Sequence, residues 1–436
     1  MIFGIDLGTT YSLIGRGDEL YSDLVPSAVN INEKRCINPG EVGKHIVGSY
    51  KTDMTVGESG DVPRSCSSIV LRQLADLASK RSGHKVVEVA ISVPAKFSNT
   101  QRNAVWQAAI DAGLTPRAVI NEPTAAAIYA CDNYKDIIVV YDLGGGTFDV
   151  TILDARIGKY YIIASDGNSR LAGDNLDRAI ANRLLEHNKV PIRLRKSENM
   201  QILHNRCREA KERLSMTGLT QYISVPELEA EYKLTVEEYT ELMRKTFQPT
   251  IDLTKELLAD NIMPIDKPKL LFVGGSTADP YLRQWVKEEL MLDEFVHDTN
   301  PSYLVAHGIS KYAEMLEDGS ADEEVIDVTS RISIELNTGM TETVIEENSN
   351  IPISESRMFT NPEPGSALNI NVYQGNDILA AKNEFIGTLT FDFGRQLQPN
   401  EGMLEVTITV DRNGILHVCG MDLLTCETKT IELVVR

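Results

Sequence analysis

The chain has 436 residues, 42% hydrophobic and 24% charged, with a formal net charge of −20, a length that predicts two or three soluble globular domains. The acidity argues against nucleic-acid phosphates as the main partner, no apolar run approaches a membrane span, and the N-terminus begins with a strand rather than a signal peptide. Six scattered cysteines form no CxxC pair and seven histidines form no HExxH, which argues against a disulfide framework or a zinc site and for a reducing cytoplasm.

Ile2-Phe-Gly-Ile-Asp-Leu-Gly-Thr-Thr-Tyr-Ser-Leu-Ile14 reads as a strand, a Gly/Thr turn and a returning strand. Residues 25–55 read as irregular strands and turns, and Lys51 within them as a solvated surface residue. A short polar stretch, 56–63, precedes a helix over 65–80 with apolar residues at Ile69, Leu71, Leu74, Leu77 and Ala78. A strand over 86–93 ends at Pro94. Asn99 can cap a helix over 100–112, which Gly113 stops. Val119 and Ile120 form a short strand into Asn121-Glu-Pro-Thr-Ala-Ala-Ala-Ile-Tyr129, where Pro123 suits a first helical turn and the alanines suit close packing.

The chain is organised around Val140-Tyr-Asp-Leu-Gly-Gly-Gly-Thr-Phe-Asp-Val150. The apolar residues 137–141 read as a buried strand. Gly144, Gly145 and Gly146 let backbone N–H groups approach an anion without Cβ interference. Asp142 and Asp149 flank them, and a carboxylate beside bound phosphate usually works through a hydrated Mg²⁺. A glycine-rich turn between two core strands is the plain alternative. Asp-Leu-Gly occurs at both Asp6 and Asp142, and this echo predicts two similar lobes, each bringing a phosphate-gripping hairpin to one ligand.

Further on, a strand over 160–164 and a polar turn over 166–174 lead into helices over 175–187, 199–214 and 235–258. A strand over 269–273 turns through Gly274-Gly-Ser-Thr-Ala-Asp-Pro280 into a helix, a reasonable cradle for phosphate or ribose. A last helix runs from Asn300 to about 316. Strands and helices alternate, so this part is α/β. Residues 318–328 are acidic and read as an interdomain linker. From 329 to 436 short β-rich runs alternate with turns, including an Asn413-Gly414 hairpin, and read as an all-β sandwich.

Gly4-Ile-Asp-Leu-Gly-Thr-Thr10, Asn121-Glu-Pro-Thr-Ala-Ala-Ala127, Tyr141-Asp-Leu-Gly-Gly-Gly-Thr-Phe-Asp149 and Val273-Gly-Gly-Ser-Thr277, in that order, closely resemble the Hsp70 chaperones. Asn371-Val-Tyr-Gln-Gly375 and Asn413-Gly-Ile-Leu-His-Val418 are similar to that family's peptide-binding sandwich, and Ser67-Ser-Ile-Val-Leu-Arg72 is similar to a divergent bacterial branch. The resemblance implies a two-lobed ATPase domain of the actin/hexokinase kind over 1–317, the linker over 318–328 and a peptide-binding domain over 329–436. It implies ATP, ADP and Mg²⁺ as cofactors, slow ATP hydrolysis, and unfolded or extended polypeptide segments as partners. A J-domain cochaperone or a nucleotide exchange factor would be further partners; nucleic acid and membrane would not.

Residue by residue, the resemblance implies that Asp6 and Asp142 hold the water shell of Mg²⁺. Gly8, Thr9 and Thr10, with Gly144, Gly145, Gly146 and Thr147, grip the phosphates. Lys51 positions the attacking water, which Glu122 and Asp149 orient or deprotonate, and Ser169 lies near the γ-phosphate. Lys211, Ser215, Gly274, Gly275 and Ser276 complete the nucleotide site. Pro94 and Arg102, with Glu122, relay nucleotide state. Leu336, Phe359, Leu368 and Ile370 line a peptide groove, with Pro362 where an arch over the peptide lies.

Departures from the family pattern carry their own implications. Ala278 stands where an arginine usually covers adenine, Glu212 faces it from the preceding helix, and Arg208 replaces a ribose-binding glutamate. A lost cation–π stack costs roughly 0.5–2 kcal/mol, so nucleotide binding is expected to be weak or its base selectivity relaxed. Lys96 replaces a tyrosine, and Ala118 stands at the J-domain position. The stretch 55–63 replaces a much longer segment, and the chain stops at Arg436 without a helical lid. The alternative expectation is a nucleotide-gated or pseudo-ATPase scaffold for one dedicated protein partner. A small-molecule kinase on the same fold is disfavoured by the attached sandwich.

Overall fold

The computed structural model describes the chain except residues 39–40, 49, 54–60, 132–135, 157–158, 264, 298, 322–324, 327 and 432–436. The chain divides into two compact units, one of Met1–Met54, Ser59–Lys96 and Gln107–Val325, the other built on Phe97–Trp106 and Ile326–Arg436. Among the described residues no helix is long and apolar enough to cross a membrane.

The first unit is α/β and contains two mixed sheets that repeat one arrangement. Ile2–Leu7, buried along its whole length, pairs antiparallel with Tyr11–Arg16 and parallel with Glu88–Val93. Ile137–Leu143, also wholly buried, pairs antiparallel with Phe148–Asp154 and parallel with Lys269–Val273. Continuous apolar runs of this kind suit strands covered on both faces. Thr115–Asn121 closes one edge of the first sheet; Tyr160–Asn168 and the short Val325–Ile326 extend the second.

The first helices are α1 (Asp61–Ser82), α2 (Asn99–Asp111) and α3 (Glu122–Ala130). They are followed by α4 (Gly173–His187), α5 (Ser197–Thr217), α6 (Val236–Asn261), α7 (Pro280–Leu290) and α8 (Pro301–Asp318). Asn300 caps α8 by accepting from the Ser302 N–H at 3.0 Å, and Thr235 caps α6 through the Glu238 N–H. Alanines and glycines bring α3, α8 and the first strand into near backbone contact. A Cβ at Gly308 would stand 1.7 Å from the Ala125 carbonyl oxygen, and one at Gly4 would stand 2.4 Å from the Ile309 backbone.

Several elements differ from the sequence expectation. Helix α1 starts at Asp61 rather than 65, because Pro63 is tolerated in a first turn. Asn99 is the first residue of α2, not its cap. The strand expected at Val119 and Ile120 runs over Thr115–Asn121; Pro116 is accommodated because this is an edge strand. The strand expected over 160–164 continues to Asn168. A hairpin of Gln221–Val225 and Ala230–Leu234, unforeseen, joins α5 to α6. Ile223, Val225, Ala230, Tyr232 and Leu234 are buried in strict alternation with exposed neighbours, so its period of two was present in the sequence. Asp318 ends α8, and Val325–Ile326 and Val328–Thr329 are two-residue strands within the stretch expected as a linker.

In the second unit, residues from 332 onward form two four-stranded antiparallel sheets. One has the order Thr341–Ile345, Ile332–Glu335, Gly365–Gln374, Glu384–Leu397; the other Ile353–Phe359, Leu404–Val410, Leu416–Asp422, Glu427–Ile431. Ile334, Val372, Leu389, Phe391, Val406 and Ile408 form part of the apolar core to which both contribute. The expected hairpin turn is formed at Asp411–Gly414, with Gly414 at φ +69°.

Candidate functional site

Asp6 and Asp142 are each the penultimate residue of their strand, so the repeated sheets deliver two equivalent carboxyls to the start of two glycine turns. The two turns face each other. A Cβ at Gly145 would stand 2.0 Å from the Thr10 hydroxyl oxygen, and one at Gly146 would stand 2.4 Å from the Thr9 methyl. Only glycine lets the loops approach this closely. A third loop joins them: the Ser276 hydroxyl donates to the Gly144 carbonyl at 2.7 Å, and Gly274, at φ +85°, leaves no room for a Cβ beside Asp142.

Together they line a cleft of about 520 Å³. Of the sequence-predicted residues, Asp6, Gly8, Thr9, Thr10, Glu122, Asp142, Gly144, Gly145, Thr147, Lys211, Ser215, Gly274, Gly275 and Ser276 line it. Gly146, Ser169, Lys51 and Asp149 are not part of that lining, although Lys51 and Asp149 lie directly behind it.

Lys51 departs from the surface position expected of it from the residues alone. It sits in a single 3₁₀ turn, Tyr50–Asp53, is 2% exposed, and donates to Glu122 Oε1 at 2.5 Å. Glu122 opens α3, Asp149 is register partner of Asp142, and Asp6 accepts from the Ser92 hydroxyl at 3.3 Å. Burial, then the Glu122 charge, pushes the Asp6 carboxyl up to about 7, against the pull of Lys51 and Ser92. Burial and Glu122 likewise push Asp149 up to about 7, although the Lys96 N–H donates to it at 3.3 Å. Asp142 is raised well above the ordinary carboxyl range by burial and by Glu122, Asp149 and Asp6 together. Four buried carboxyls, offset by Lys51 and at Asp149 also by Lys96, make a site electrostatically suited to a cation.

Among the described residues no group of three His, Cys, Asp or Glu side chains could hold a metal ion directly. An ion carried here would therefore keep much of its own water, as Mg²⁺ commonly does.

Sequence reasoning missed part of the wall beside the Gly144–Gly146 turn. Asp177 on α4 is 3% exposed, forms an ion pair with Lys211 Nζ at 2.7 Å and accepts from Arg208 Nε at 3.1 Å; Asp174 accepts from Arg208 Nη2 at 2.8 Å. Both acids occur near a helix start, where acidic residues are ordinary, so nothing local marked them. The Tyr239 hydroxyl donates to the Asp279 carboxylate, also within the lining.

Pro94 is buried just past its strand. Arg102 belongs to the second unit, where its guanidinium donates to the Asn413 carbonyl at 3.2 Å. Of the predicted peptide-site residues, Ile370 is part of the sandwich core. Phe359 and Leu368 are half-buried against it, and Leu336 is 38% exposed. Part of the shortened stretch, 55–60, lies outside the described residues.

A family model described as Hsp70 protein matches residues 27–435. The chaperone protein DnaK of Mycoplasmoides gallisepticum is 30% identical over 481 residues, covering 99% of this chain and 80% of that protein. Those of Ureaplasma urealyticum serovar 10 and Ureaplasma parvum serovar 3 are each 32% identical over 476 residues, covering 99% of this chain and 78% of theirs.

Proposed function

The chain belongs to the Hsp70 family, and from that premise we propose that it is a Mg·ATP-dependent chaperone that hydrolyses ATP slowly and binds extended apolar peptide segments. Residues 1–317 would form an actin-like nucleotide-binding domain, 318–328 the linker and 329–436 the peptide-binding domain. The observation that carries the proposal is the pair of facing hairpins, with Asp6 and Asp142 at equivalent strand positions on one glycine-walled cleft.

The residues present fit the nucleotide and its metal. The loops at Gly8–Thr10 and Gly144–Thr147 would donate backbone N–H groups to the phosphates; a Cβ at Gly8 would meet the Tyr11 carbonyl oxygen at 2.1 Å and one at Gly145 the Thr10 hydroxyl at 2.0 Å, so glycine keeps each turn tight and the pair close. Asp6 and Asp142 would accept hydrogen bonds from the water shell of the ion. A bound Mg²⁺ would neutralise charge on the transferred phosphoryl group. Lys51, fixed by Glu122, would hold a water in line, and Asp149 or Glu122 would take its proton. Thr147 and Ser169 would contact the terminal phosphate. Pro94 and Arg102 would convey nucleotide state. In the sandwich, Leu336, Phe359 and Leu368 would meet the peptide, with Ile370 beneath them as the floor of a side-chain pocket.

Calorimetry and turnover with the purified chain test this. Mg·ATP is expected to bind and turn over, and Lys51→Ala is expected to lower turnover by about 100-fold while binding persists. Absence of Mg·ATP binding at millimolar nucleotide removes the enzyme. The second reading, a scaffold for one protein partner, is favoured by the engagement of Arg208 with Asp174 and Asp177, which commits a lining cation to the protein's own carboxylates beside the Gly144–Gly145 turn. Cellular activity unchanged by both Asp6→Asn and Lys51→Ala would select it.

A further inference from the structure

With phosphates at the paired glycine loops, the rest of the cleft runs along one face of α5, which presents Arg208, Lys211, Glu212, Ser215 and Met216 at helical spacing. Among the described residues, the cations lining the cleft are Arg208 and Lys211. Both are held by carboxylates: Arg208 by Asp174 at 2.8 Å and Asp177 at 3.1 Å, Lys211 by Asp177 at 2.7 Å. Ala278 offers a methyl group; of the rings lining the cleft, Tyr239 and Phe247 are buried, and Tyr11 stands directly after the Gly8–Thr10 turn, at the phosphate end.

Glu212 remains. It lines the cleft, and among the described residues its carboxylate forms no ion pair or side-chain hydrogen bond; partial desolvation raises its carboxyl above the ordinary range, and the charges of Lys211 and Arg208 pull it back. A carboxylate accepts at two oxygens and donates nothing. Guanine presents adjacent N1–H and N2–H donors that match those oxygens in a two-bond fork. Adenine presents one N6 amino donor beside the N1 acceptor, which a carboxylate repels.

Resting on the nucleotide reading above, we propose that Glu212 is a specificity-determining residue and that the cleft binds guanine nucleotides at least as tightly as adenine nucleotides. The Asp177 bridge to Arg208 and Lys211 fixes the turn of α5 immediately before Glu212, so the carboxylate stands on a braced helix.

The test is calorimetry on the full chain with Mg·GDP and Mg·ADP, repeated with Glu212→Ala and Glu212→Gln. The unaltered chain is expected to bind GDP at least as tightly as ADP. Glu212→Ala is expected to weaken GDP by about tenfold and invert the order, and Glu212→Gln, which puts a donor where an acceptor is needed, is expected to do the same. A clear adenine preference in the unaltered chain, or GDP affinity that survives both substitutions, overturns the proposal and leaves the nucleotide reading intact. Binding of neither nucleotide at millimolar concentration overturns both.

Discussion

Asp6, Glu122, Asp142 and Asp149 are four buried carboxyls offset by Lys51, with Lys96 acting in addition on Asp149. Without a cation their mutual repulsion opposes folding, so Asp142→Asn is expected to raise the melting temperature of the ligand-free chain while weakening Mg·ATP binding. Paired scanning calorimetry with and without Mg·ATP checks this; a fall in both would make Asp142 a structural residue. Asp422, in the second unit, has the opposite character. The Arg395 guanidinium at 2.5 Å, helped by the Leu424 N–H and the Thr425 hydroxyl, holds its carboxyl below the ordinary 3.8 against burial. A depressed folded-state value contributes stability that is present above 3.8 and is lost as pH falls through the lowered value. Asp422→Ala is therefore expected to cost about 1.5–3 kcal/mol at neutral pH, and the variant's stability is expected to vary less below pH 4 than that of the parent, as read by denaturant titration. At this scale the sequence was legible where residue types repeat, as at Asp6 and Asp142. It was silent where one side chain is defined by a distant partner: Lys51 meets Glu122 seventy-one residues away, and Asp177 meets Arg208 thirty-one away.

The elements that hold the site are the two hairpins, and their closeness depends on glycine. Gly145→Val would drive its side chain into Thr10 and separate the turns. Nucleotide affinity is expected to fall by at least about tenfold while far-ultraviolet circular dichroism is preserved, since the surrounding strands are independently buried. The strands that read most easily, Ile2–Leu7, Ile137–Leu143 and Lys269–Val273, are those whose apolar runs exceed any helical spacing. The hairpin at Gln221–Val225 and Ala230–Leu234 went unforeseen because two long helical patterns flank it and its alternating residues mix tyrosine, alanine and charged types. Thr115–Asn121 was shortened in expectation by Pro116 and Arg117, whose disfavour in strands counts for less at an edge.

At the scale of the whole chain, each unit has its own apolar core, one around Tyr141, Phe148 and Tyr239, the other around Phe391, Val406 and Ile408. Thermal unfolding is expected to show two transitions. Mg·ATP at a hundred times its dissociation constant should stabilise the first unit by about 2.7 kcal/mol and leave the second near its ligand-free value. Calorimetry showing one transition that shifts as a whole would mean that the units unfold together. The alignment with the Mycoplasmoides relative runs over 481 positions, at least 45 more than this chain has residues, so the relative carries insertions that this chain lacks. One consequence follows from the contact of Gly308 with Ala125 and of Gly4 with Ile309. Helix α8 touches the cleft through Pro301, Ser302 and Val305 and, two turns on, bears on the strand that carries Asp6 with no side chain between as cushion. There is no side chain at that contact to repack, so a larger residue at Gly4 or Gly308 would have to displace the helix itself and, with it, the wall of the cleft that it supplies.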